Sequence, residues 1–176
     1  MNIVKRILLI LFVLVACVGC DQSTKTYAES NLPKVQALSF LADTIRLQVA
    51  HNEGAFLSLG ASAPKPWRLA ALRLGVSTLL LVLLGYVLRT RVARPLFIFA
   101  LSLILAGGVS NLIDRFKHGG YVVDFINLGV GSLRTGIFNV ADIAITFGVL
   151  LLLVQSWRTN KSGEDSCAKA RRPAPR

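Results

Sequence analysis

The sequence predicts an all-α membrane protein with four transmembrane helices and a small sheet at the membrane surface. The chain of 176 residues is 53% hydrophobic and only 16% charged, whereas soluble domains usually contain about 25% charged residues. Long apolar runs recur along the chain, and many of the basic residues behind its net charge of +11 flank those runs. No basic stripe is interleaved with aromatic residues, so we expect no nucleic-acid partner.

The first predicted span begins after Lys5 and Arg6. Its apolar run, Ile7 to Cys20, is shorter than the roughly 20 residues that cross a bilayer. We therefore expect the helix to continue through the DQSTK motif to about Tyr27. Each later apolar run has about 19 to 22 residues, enough to cross a hydrocarbon core of about 30 Å. The predicted spans are residues 7–27, 67–88, 95–114 and 138–157, within a single membrane domain of residues 1–157.

The distribution of basic residues predicts the orientation of the spans. The N-terminal residues, the RTRVAR connection between the second and third spans, and the segment after Trp157 are rich in Arg and Lys. The opposite connections, about 28–66 and 116–137, are longer but contain few basic residues. Since cytoplasmic loops carry the excess of positive charge, both termini are predicted to be cytoplasmic. The tail of residues 158–176, rich in Ser, Pro, Ala and charged residues, is predicted to be disordered.

The two outer connections contain strand-like segments. TIRLQVAH, Thr44 to His51, alternates in character, and NEGAFLSLG follows it with Gly54 and Gly60 as predicted turn points. HGGYVVDFINLGVG, in the second connection, is a β-rich run between glycines. These segments predict the small sheet on the outer surface of the membrane.

The cysteines and histidines predict no metal or redox site. Cys17 and Cys20 have CxxC spacing, but they lie in an apolar run without a βαβ pattern around it. We interpret both as small packing residues. Cys167 adds no second pair, and His51 and His118 are far apart in the chain. Neither a metal ion nor an organic cofactor is therefore expected.

Polar residues collect near the outer ends of the predicted spans, although ionisable residues within spans are costly and usually mark function or pair internally. Local explanations are open for several of them: Asp21 and Lys25 as a helix-surface ion pair, Asp114 and Arg115 as interfacial anchors, Asp142 as a partner of a helix dipole, Asn139 as an N-cap, and Gly107 and Gly108 as packing residues. These explanations do not account for the shared layer, which also contains Asn52, Asn111 and Asp124.

Two aspartates in this layer indicate acid–base chemistry. Two carboxyl groups a few ångströms apart in a low-dielectric site do not both ionise easily, so one keeps a proton and the pair holds a water molecule. The ionised carboxylate activates the water, and the protonated carboxyl polarises a scissile carbonyl. No Ser, Cys or His constellation in the sequence competes with this arrangement. Spacing alone leaves open which two of four aspartates form the pair: Asp21, Asp114, Asp124 and Asp142.

Five short sequence blocks occur in order from the first span to the fourth. They are DQSTK (21–25), NEGAF (52–56), NLIDR (111–115), VVDF (122–125) and FNVAD (138–142). Together they resemble the lipoprotein signal peptidase (signal peptidase II) family, the membrane aspartic proteases that mature bacterial lipoproteins. Each block alone is a weak signal, but all five at these spacings, with four spans in this orientation, are specific. The resemblance covers about residues 1–157.

The resemblance assigns roles to the polar layer. It implies that Asp124 and Asp142 are the catalytic pair and that Asp21 and Lys25 give the site structural support. It implies that the residues which bind substrate or support the site are Asn52, Gly54, Asn111, Asp114, Arg115 and Asn139. The family fold is a four-helix membrane bundle with a small periplasmic β-cradle and an outer helix or loop that closes over the substrate, which agrees with the predicted sheet.

The resemblance also implies a substrate and a location. The expected partners are membrane lipid and lipid-modified prolipoproteins, in which a cysteine carries a diacylglyceryl group. Cleavage on the N-terminal side of that cysteine releases the signal peptide. The enzyme is expected to work as a monomer in the bacterial inner membrane, with its active site at the periplasmic interface.

The sequence departs from the family pattern in two blocks. The usual run GGAxGN reads AGGVSN here, Ala106 to Asn111, so Ser110 replaces a glycine. We expect close helix packing to survive because the replaced positions stay small. The outer block often reads NxGAAF in the family, and NEGAF is one residue shorter, which leaves the placement of Phe56 open.

Two alternative interpretations compete with the peptidase. LVAC, Leu14 to Cys17, resembles the lipobox of a lipoprotein precursor, but cleavage before Cys17 would remove most of the first span. The other alternative is a small transporter that uses its interfacial acids. Transport sites usually lie near the bilayer midplane, however, and these acids lie at one interface.

Overall fold

The computed structural model of the chain describes residues 1–33, 36–54, 64–92 and 94–170, with side chains described up to residue 158. Its helices are α1 (Ile3–Asn31), α2 (Lys65–Ala70), α3 (Val76–Arg89), α4 (Pro95–Lys117) and α5 (Val140–Ala170). A π-helical turn, Ala71–Gly75, joins α2 to α3. The strands are β1 (Leu38–Phe40), β2 (Ile45–Asn52), β3 (Val122–Val130) and β4 (Leu133–Arg134).

Within the described residues, four helical segments are long and apolar enough to cross a membrane: Ile3–Asn31, Lys65–Arg89, Pro95–Lys117 and Val140–Arg158. They correspond to the four predicted spans, and together with the small sheet they confirm the predicted fold class. DQSTK lies within α1, as expected from the short first apolar run.

Helix α5 runs further than the sequence predicted. It continues to Ala170, past the predicted end at residue 157 and into the segment for which we expected disorder. No proline interrupts this segment before Pro173, so nothing in its backbone forces the helix to stop. Residues 171–176 lie outside the described residues.

The four strands form one antiparallel sheet in the order β1-β2-β3-β4. The predicted TIRLQVAH strand corresponds to β2, and the VVDF block begins β3. Asn52, the last residue of β2, pairs with Val122, the first residue of β3. This register places the Asn52 side chain beside Asp124. A bend at Gly54 follows β2, whereas the predicted turn at Gly60 and the placement of Phe56 lie outside the described residues.

Helix α4 is central in the helical bundle and packs against α1, α3 and α5. Gly107 and Gly108 of α4, which the sequence predicted to allow close helix packing, lie at these helix contacts. A Cβ atom on Gly107 would lie 2.4 Å from the carbonyl oxygen of Ala141, and one on Gly108 would lie 2.6 Å from the Leu80 side chain. The absence of side chains therefore lets the first turn of α5 approach the outer half of α4, where Asn111 lies.

Candidate active site

Asp124 and Asp142 come from different elements, but both bond to the same residue, Asn139. Asp124 lies in β3, and Asp142 lies in the first turn of α5. Asn139 stands between them: its side-chain nitrogen Nδ2 donates to Asp124 Oδ1 at 2.6 Å, and its Oδ1 accepts from the Asp142 backbone N–H at 3.0 Å. The backbone N–H of Asn139 in turn donates to Asp142 Oδ2 at 3.2 Å.

Asn139 is therefore the N-cap of α5, as the sequence suggested. Its reciprocal bonds with Asp142 form a capping box, in which two otherwise unpaired backbone N–H groups of a helix start are satisfied. The same residue also bonds to Asp124. A local helix-start motif and a link between two carboxyl groups thus coincide in one side chain.

Two further asparagines complete the bonding of the aspartates. Asn52 Nδ2 donates to Asp124 Oδ2 at 3.0 Å, and Asn111 Nδ2 donates to Asp142 Oδ1 at 2.9 Å. With the bonds from Asn139, each of the four carboxyl oxygens accepts an amide N–H. These fixed donors hold both carboxyl groups in place from β2, α4 and the start of α5.

The environment of Asp124 favours retention of a proton. Its residue surface is only 2% exposed. Burial raises the pKa of Asp124 to about 6, and the nearby Asp142 adds to this rise, although the hydrogen bonds from Asn52 and Asn139 oppose it. In the part of the chain that the structure describes, no Lys or Arg forms an ion pair with either Asp124 or Asp142.

Asp21 and Asp114 form a different kind of pair, because they share a cation. Lys25 Nζ lies 2.6 Å from Asp21 Oδ2 and 2.9 Å from Asp114 Oδ2, and its side chain is 3% exposed. The interpretation of Asp21 and Lys25 as a helix-surface ion pair is therefore wrong. It failed because the packing of α1 against α4 encloses a helix face that the sequence alone leaves open to solvent.

The buried ion cluster also reaches α5 and β3. Asp21 Oδ1 accepts the backbone N–H of Ala141 at 2.8 Å, and Asp114 Oδ2 accepts that of Val123 at 3.1 Å. Lys25 donates to Asn111 Oδ1 at 3.0 Å. Asp21 and Asp114 thus fix the backbones beside the two other aspartates, and Lys25 contacts the asparagine that holds Asp142.

Arg115 and Gly54 join the same network. Arg115 Nη2 donates to the Gly54 carbonyl oxygen at 3.0 Å, and Nη1 donates to the Asn111 carbonyl oxygen at 3.2 Å. The Gly54 N–H donates to Asn52 Oδ1 at 3.0 Å. Since Arg115 is only 7% exposed and Asp114 only 1%, simple interfacial anchoring does not describe them. All the residues predicted for the site therefore lie in one connected hydrogen-bonded network.

Three members of this network were not predicted. Gln22 donates to Asp114 Oδ1 at 2.7 Å, Ser110 Oγ donates to Asp21 Oδ2 at 2.7 Å, and Arg73 Nη2 donates to the Arg115 carbonyl oxygen at 2.8 Å. Gln22 lies inside the DQSTK block, which was a usable signal. Ser110 was noted only as a departure from glycine, and Arg73 was not singled out in the sequence.

The network distinguishes two pairs of aspartates that spacing could not separate. Lys25 balances Asp21 and Asp114, whereas Asp124 and Asp142 are held by amide donors and share Asn139. Asp124 is buried and Asp142 partly buried, and two such neighbouring carboxyl groups without a direct counter-ion are suited to hold one proton between them. Among the described residues, no group of three or more His, Cys, Asp and Glu side chains is placed to hold a metal ion.

Comparison with known proteins decides the family. Residues 13–158 match the family model described as signal peptidase (SPase) II. The chain belongs to the signal peptidase II family. Membership of the signal peptidase II family indicates a peptidase that removes signal peptides from lipoproteins, and it favours this activity over the transporter and the lipoprotein interpretations.

Members of the signal peptidase II family resemble the chain along most of its length. The lipoprotein signal peptidase of Syntrophus aciditrophicus (strain SB) is 33% identical over 157 residues, which cover 87% of this chain and 96% of the relative. The lipoprotein signal peptidase of Francisella tularensis subsp. mediasiatica (strain FSC147) is 29% identical over 161 residues, covering 92% and 99%.

Solved structures agree with the fold. A bacterial membrane enzyme determined by the in meso method at 1.9 Å resolution superposes with a TM-score of 0.69 and 26% identity, covering 86% of this chain and 91% of that chain. A second, determined at 2.3 Å resolution, gives a TM-score of 0.71 at 24% identity and covers 97% and 94%. The second likeness concerns the fold alone.

Proposed function

We propose that the chain is a membrane aspartic endopeptidase that cleaves diacylglyceryl-modified prolipoproteins on the N-terminal side of the lipid-bearing cysteine. Asp124 and Asp142 are its catalytic residues. The observation that carries this proposal is the bonding of these two aspartates. Both contact Asn139, every carboxyl oxygen accepts an amide N–H, and no cation among the described side chains forms an ion pair with either group.

The two carboxyl groups divide the work of hydrolysis. One is ionised and takes a proton from the bound water, whose oxygen attacks the scissile carbonyl carbon. The other is protonated and donates a hydrogen bond to the carbonyl oxygen, which stabilises the negative charge of the tetrahedral intermediate. The carbon–nitrogen bond then breaks, and the amine of the cysteine leaves with a proton from the pair. The pair titrates as a unit, so the starting base is not assigned to one aspartate.

The asparagine donors keep this arrangement rigid. Carboxyl groups that already accept hydrogen bonds from fixed amides need little reorganisation when the water and the carbonyl arrive. Asn52 and Gly54 end β2 beside Asp124, and Arg115 holds the Gly54 carbonyl. We assign substrate binding and support of the site to these residues and to Asn111, Asp114 and Asn139, with Asp21 and Lys25 as structural support.

The position of the pair suits a lipid-anchored substrate. Asp142 is in the first turn of the last span, and Asp124 is in the sheet that follows α4. On the predicted orientation this end of the bundle is periplasmic, and both termini are in the cytoplasm of a bacterium, with the protein in the inner membrane. Acyl chains in the bilayer hold the cysteine at the same interface. The enzyme works as a monomer in contact with membrane lipid.

A gel-shift cleavage assay tests the proposal. Purified protein in detergent is mixed with a diacylglyceryl-modified prolipoprotein, beside Asp124→Asn, Asp142→Asn and the control Asp43→Asn. Asp43 lies in the exposed turn between β1 and β2, outside the network. We expect wild type and Asp43→Asn to cleave and both dyad variants to be inactive while still folded, as judged by circular dichroism. Wild-type turnover by either dyad variant would overturn the assignment.

A further inference from the structure

An apolar groove on the outside of α5 leads to Asp142. Its volume is about 500 Å³, and its lining includes Leu128 and Phe138 from the outer segment and Asp142, Thr146, Phe147 and Leu150 from α5. Among the described residues that line it, Asp142 is the only charged one. Phe147 and Leu150 are each about half exposed, at 51% and 52%, although they lie in a membrane-spanning helix. The groove therefore opens on the side of α5 that faces the bilayer.

The covalent structure of the proposed substrate places its acyl chains close to Asp142. Our reasoning here rests on the proposed function, in which the scissile bond lies at Asp124 and Asp142. In a lipid-modified cysteine, only the Cα and Cβ carbons lie between the scissile nitrogen and the sulfur that carries the glycerol. A substrate with its scissile bond at the dyad must therefore place the start of its acyl chains within a few bonds of Asp142.

We propose that this groove binds an acyl chain of the substrate's diacylglyceryl group. Leu150 lies eight positions after Asp142, so the two are about 12 Å apart along α5 in the direction of the span, at about 1.5 Å per residue. A chain that leaves the glycerol beside Asp142 can follow this face of the helix toward the middle of the bilayer. The groove is lined at one end by Asp142 of the proposed catalytic pair, which makes it the acyl-chain subsite of the same active site.

A second cavity provides the competing location. It has a volume of about 380 Å³ beside α1, and Tyr27, Leu32, Leu47 and Phe125 are among its lining residues. Its lining, also largely apolar, includes neither aspartate of the proposed pair. Because Asp142 lines the groove on α5 and no aspartate of the pair lines this cavity, we assign the acyl chain to the groove on α5.

The groove acts through position rather than through affinity. Bilayer hydrocarbon is as apolar as the groove, so transfer of an acyl chain from lipid to protein gains little hydrophobic free energy. What the groove supplies is a fixed direction for the chain, and with it a fixed placement of the cysteine at the dyad. Filling the groove should therefore reduce the rate of cleavage of bound substrate.

Photo-crosslinking in the full-length protein tests the location directly. Inactive Asp124→Asn protein is mixed with prolipoprotein whose diacylglyceryl group carries a diazirine in the middle of each acyl chain, and labelled peptides are mapped by mass spectrometry. We expect labelling of Phe147 and Leu150 above that given by a diazirine phospholipid. Labelling centred on Tyr27 and Leu32, or a pattern identical to that of the phospholipid, would overturn the proposal. This readout records binding and not catalysis, so failure of the subsite appears as a changed labelling pattern, whereas failure of the dyad assignment appears as cleavage by Asp124→Asn in the gel-shift assay.

Groove-filling variants test the consequence. Thr146→Trp and Leu150→Trp place an indole in the groove, whereas Val149→Trp is a matched control because Val149 is 41% exposed at the same depth of α5 and does not line the groove. We expect kcat to fall by about tenfold or more in the two groove variants, since small displacements of a reacting bond cost this much, and to change by less than about twofold in the control. Equal effects of all three substitutions would contradict an acyl-chain subsite.

Discussion

Lys25 donates to the side-chain oxygen of Asn111 at 3.0 Å, and Asn139 Nδ2 donates to the same oxygen at 3.1 Å, so these two donors fix how the Asn111 amide is turned. An ammonium group has donors only, so the atom of Asn111 that faces it must be the oxygen. The amide nitrogen is then left to donate to Asp142, at 2.9 Å. A buried lysine thus helps to orient a donor toward a carboxyl group that it does not itself bond.

Replacement of Lys25 by methionine tests this relationship. The substitution leaves Asp21 and Asp114 buried without their shared cation, and breaking a buried ion pair in this way costs on the order of 3–5 kcal/mol of unfolding free energy. It also removes one of the two donors that orient the Asn111 amide, so the cleavage rate per folded molecule should fall. Thermal unfolding in detergent and single-turnover cleavage measure the two effects.

The double variant Asp21→Asn/Lys25→Met separates charge from orientation. It removes one negative and one positive charge, so part of the lost stability should return. The oxygen of Asn111 still lacks its ammonium donor, and the cleavage rate should stay low. Full recovery of the rate in the double variant would show that Lys25 acts only through charge balance.

The raised pKa of Asp124 predicts a stability profile. Burial raises this pKa from 3.8 to about 6, so the folded protein holds the proton more tightly than the unfolded chain does. The resulting stabilisation is fully present below about pH 3.8 and is lost as the pH rises through about 6. Between pH 4 and pH 7, wild type should lose on the order of 3 kcal/mol of unfolding free energy relative to Asp124→Asn. Melting temperatures across this pH range measure the difference.

Asp43 supplies a control in which stability changes with pH in the opposite direction. Hydrogen bonds from Arg46 and Ser39 lower the pKa of Asp43, so its contribution to stability is present above the ordinary pKa and is lost as the pH falls. Relative to Asp43→Asn, wild type should therefore become less stable in acid. If the stability of Asp124→Asn, Asp43→Asn and wild type changes with pH in the same way, neither the raised pKa of Asp124 nor the lowered pKa of Asp43 is supported.

Gly107→Ala tests the close approach of α4 and α5. The added Cβ would lie 2.4 Å from the Ala141 carbonyl oxygen and 2.7 Å from the Ile145 side chain, so the helices must separate. Overpacking of this kind costs about 1–3 kcal/mol, and it shifts the turn that carries Asp142. We expect a lower melting temperature and slower cleavage. In Gly19→Ala of α1 the new Cβ meets nothing within 4 Å, and no loss is expected.

Arg6→Met tests a structural role for a basic residue that also contributes to orientation. Arg6 is 7% exposed, and its Nη1 donates to the carbonyl oxygens of Leu88 at 3.0 Å and Thr90 at 2.8 Å, at the end of α3. Loss of these charged hydrogen bonds should cost about 1.5–3 kcal/mol of unfolding free energy. Lys5→Met removes the same charge from an exposed neighbour and should leave stability unchanged. A similar loss in both variants would show that net charge, and not helix capping, is responsible.

Local sequence patterns were sufficient to predict the four spans and the two long strands. Each is encoded by a local pattern, since an apolar run of sufficient length or an alternation over a few residues specifies an element without reference to the rest of the chain. The short edge strands β1 and β4 were not predicted, because a strand of two or three residues has too little pattern to recognise. The capping role of Asn139 was also local, and it was predicted correctly.

Tertiary structure decided how the polar layer is partnered. Asp21 and Ala141 are 120 positions apart in the chain, yet they form a direct hydrogen bond, and Lys25 meets Asp114 across two helices. No local sequence pattern predicts that Lys25 pairs with Asp21 and Asp114. Nor does one predict that Asn139 bonds to the other two aspartates, Asp124 and Asp142. Such partnerships depend on which helix faces come together in the bundle, and close packing at residues such as Gly107 sets that geometry only when the whole chain has folded.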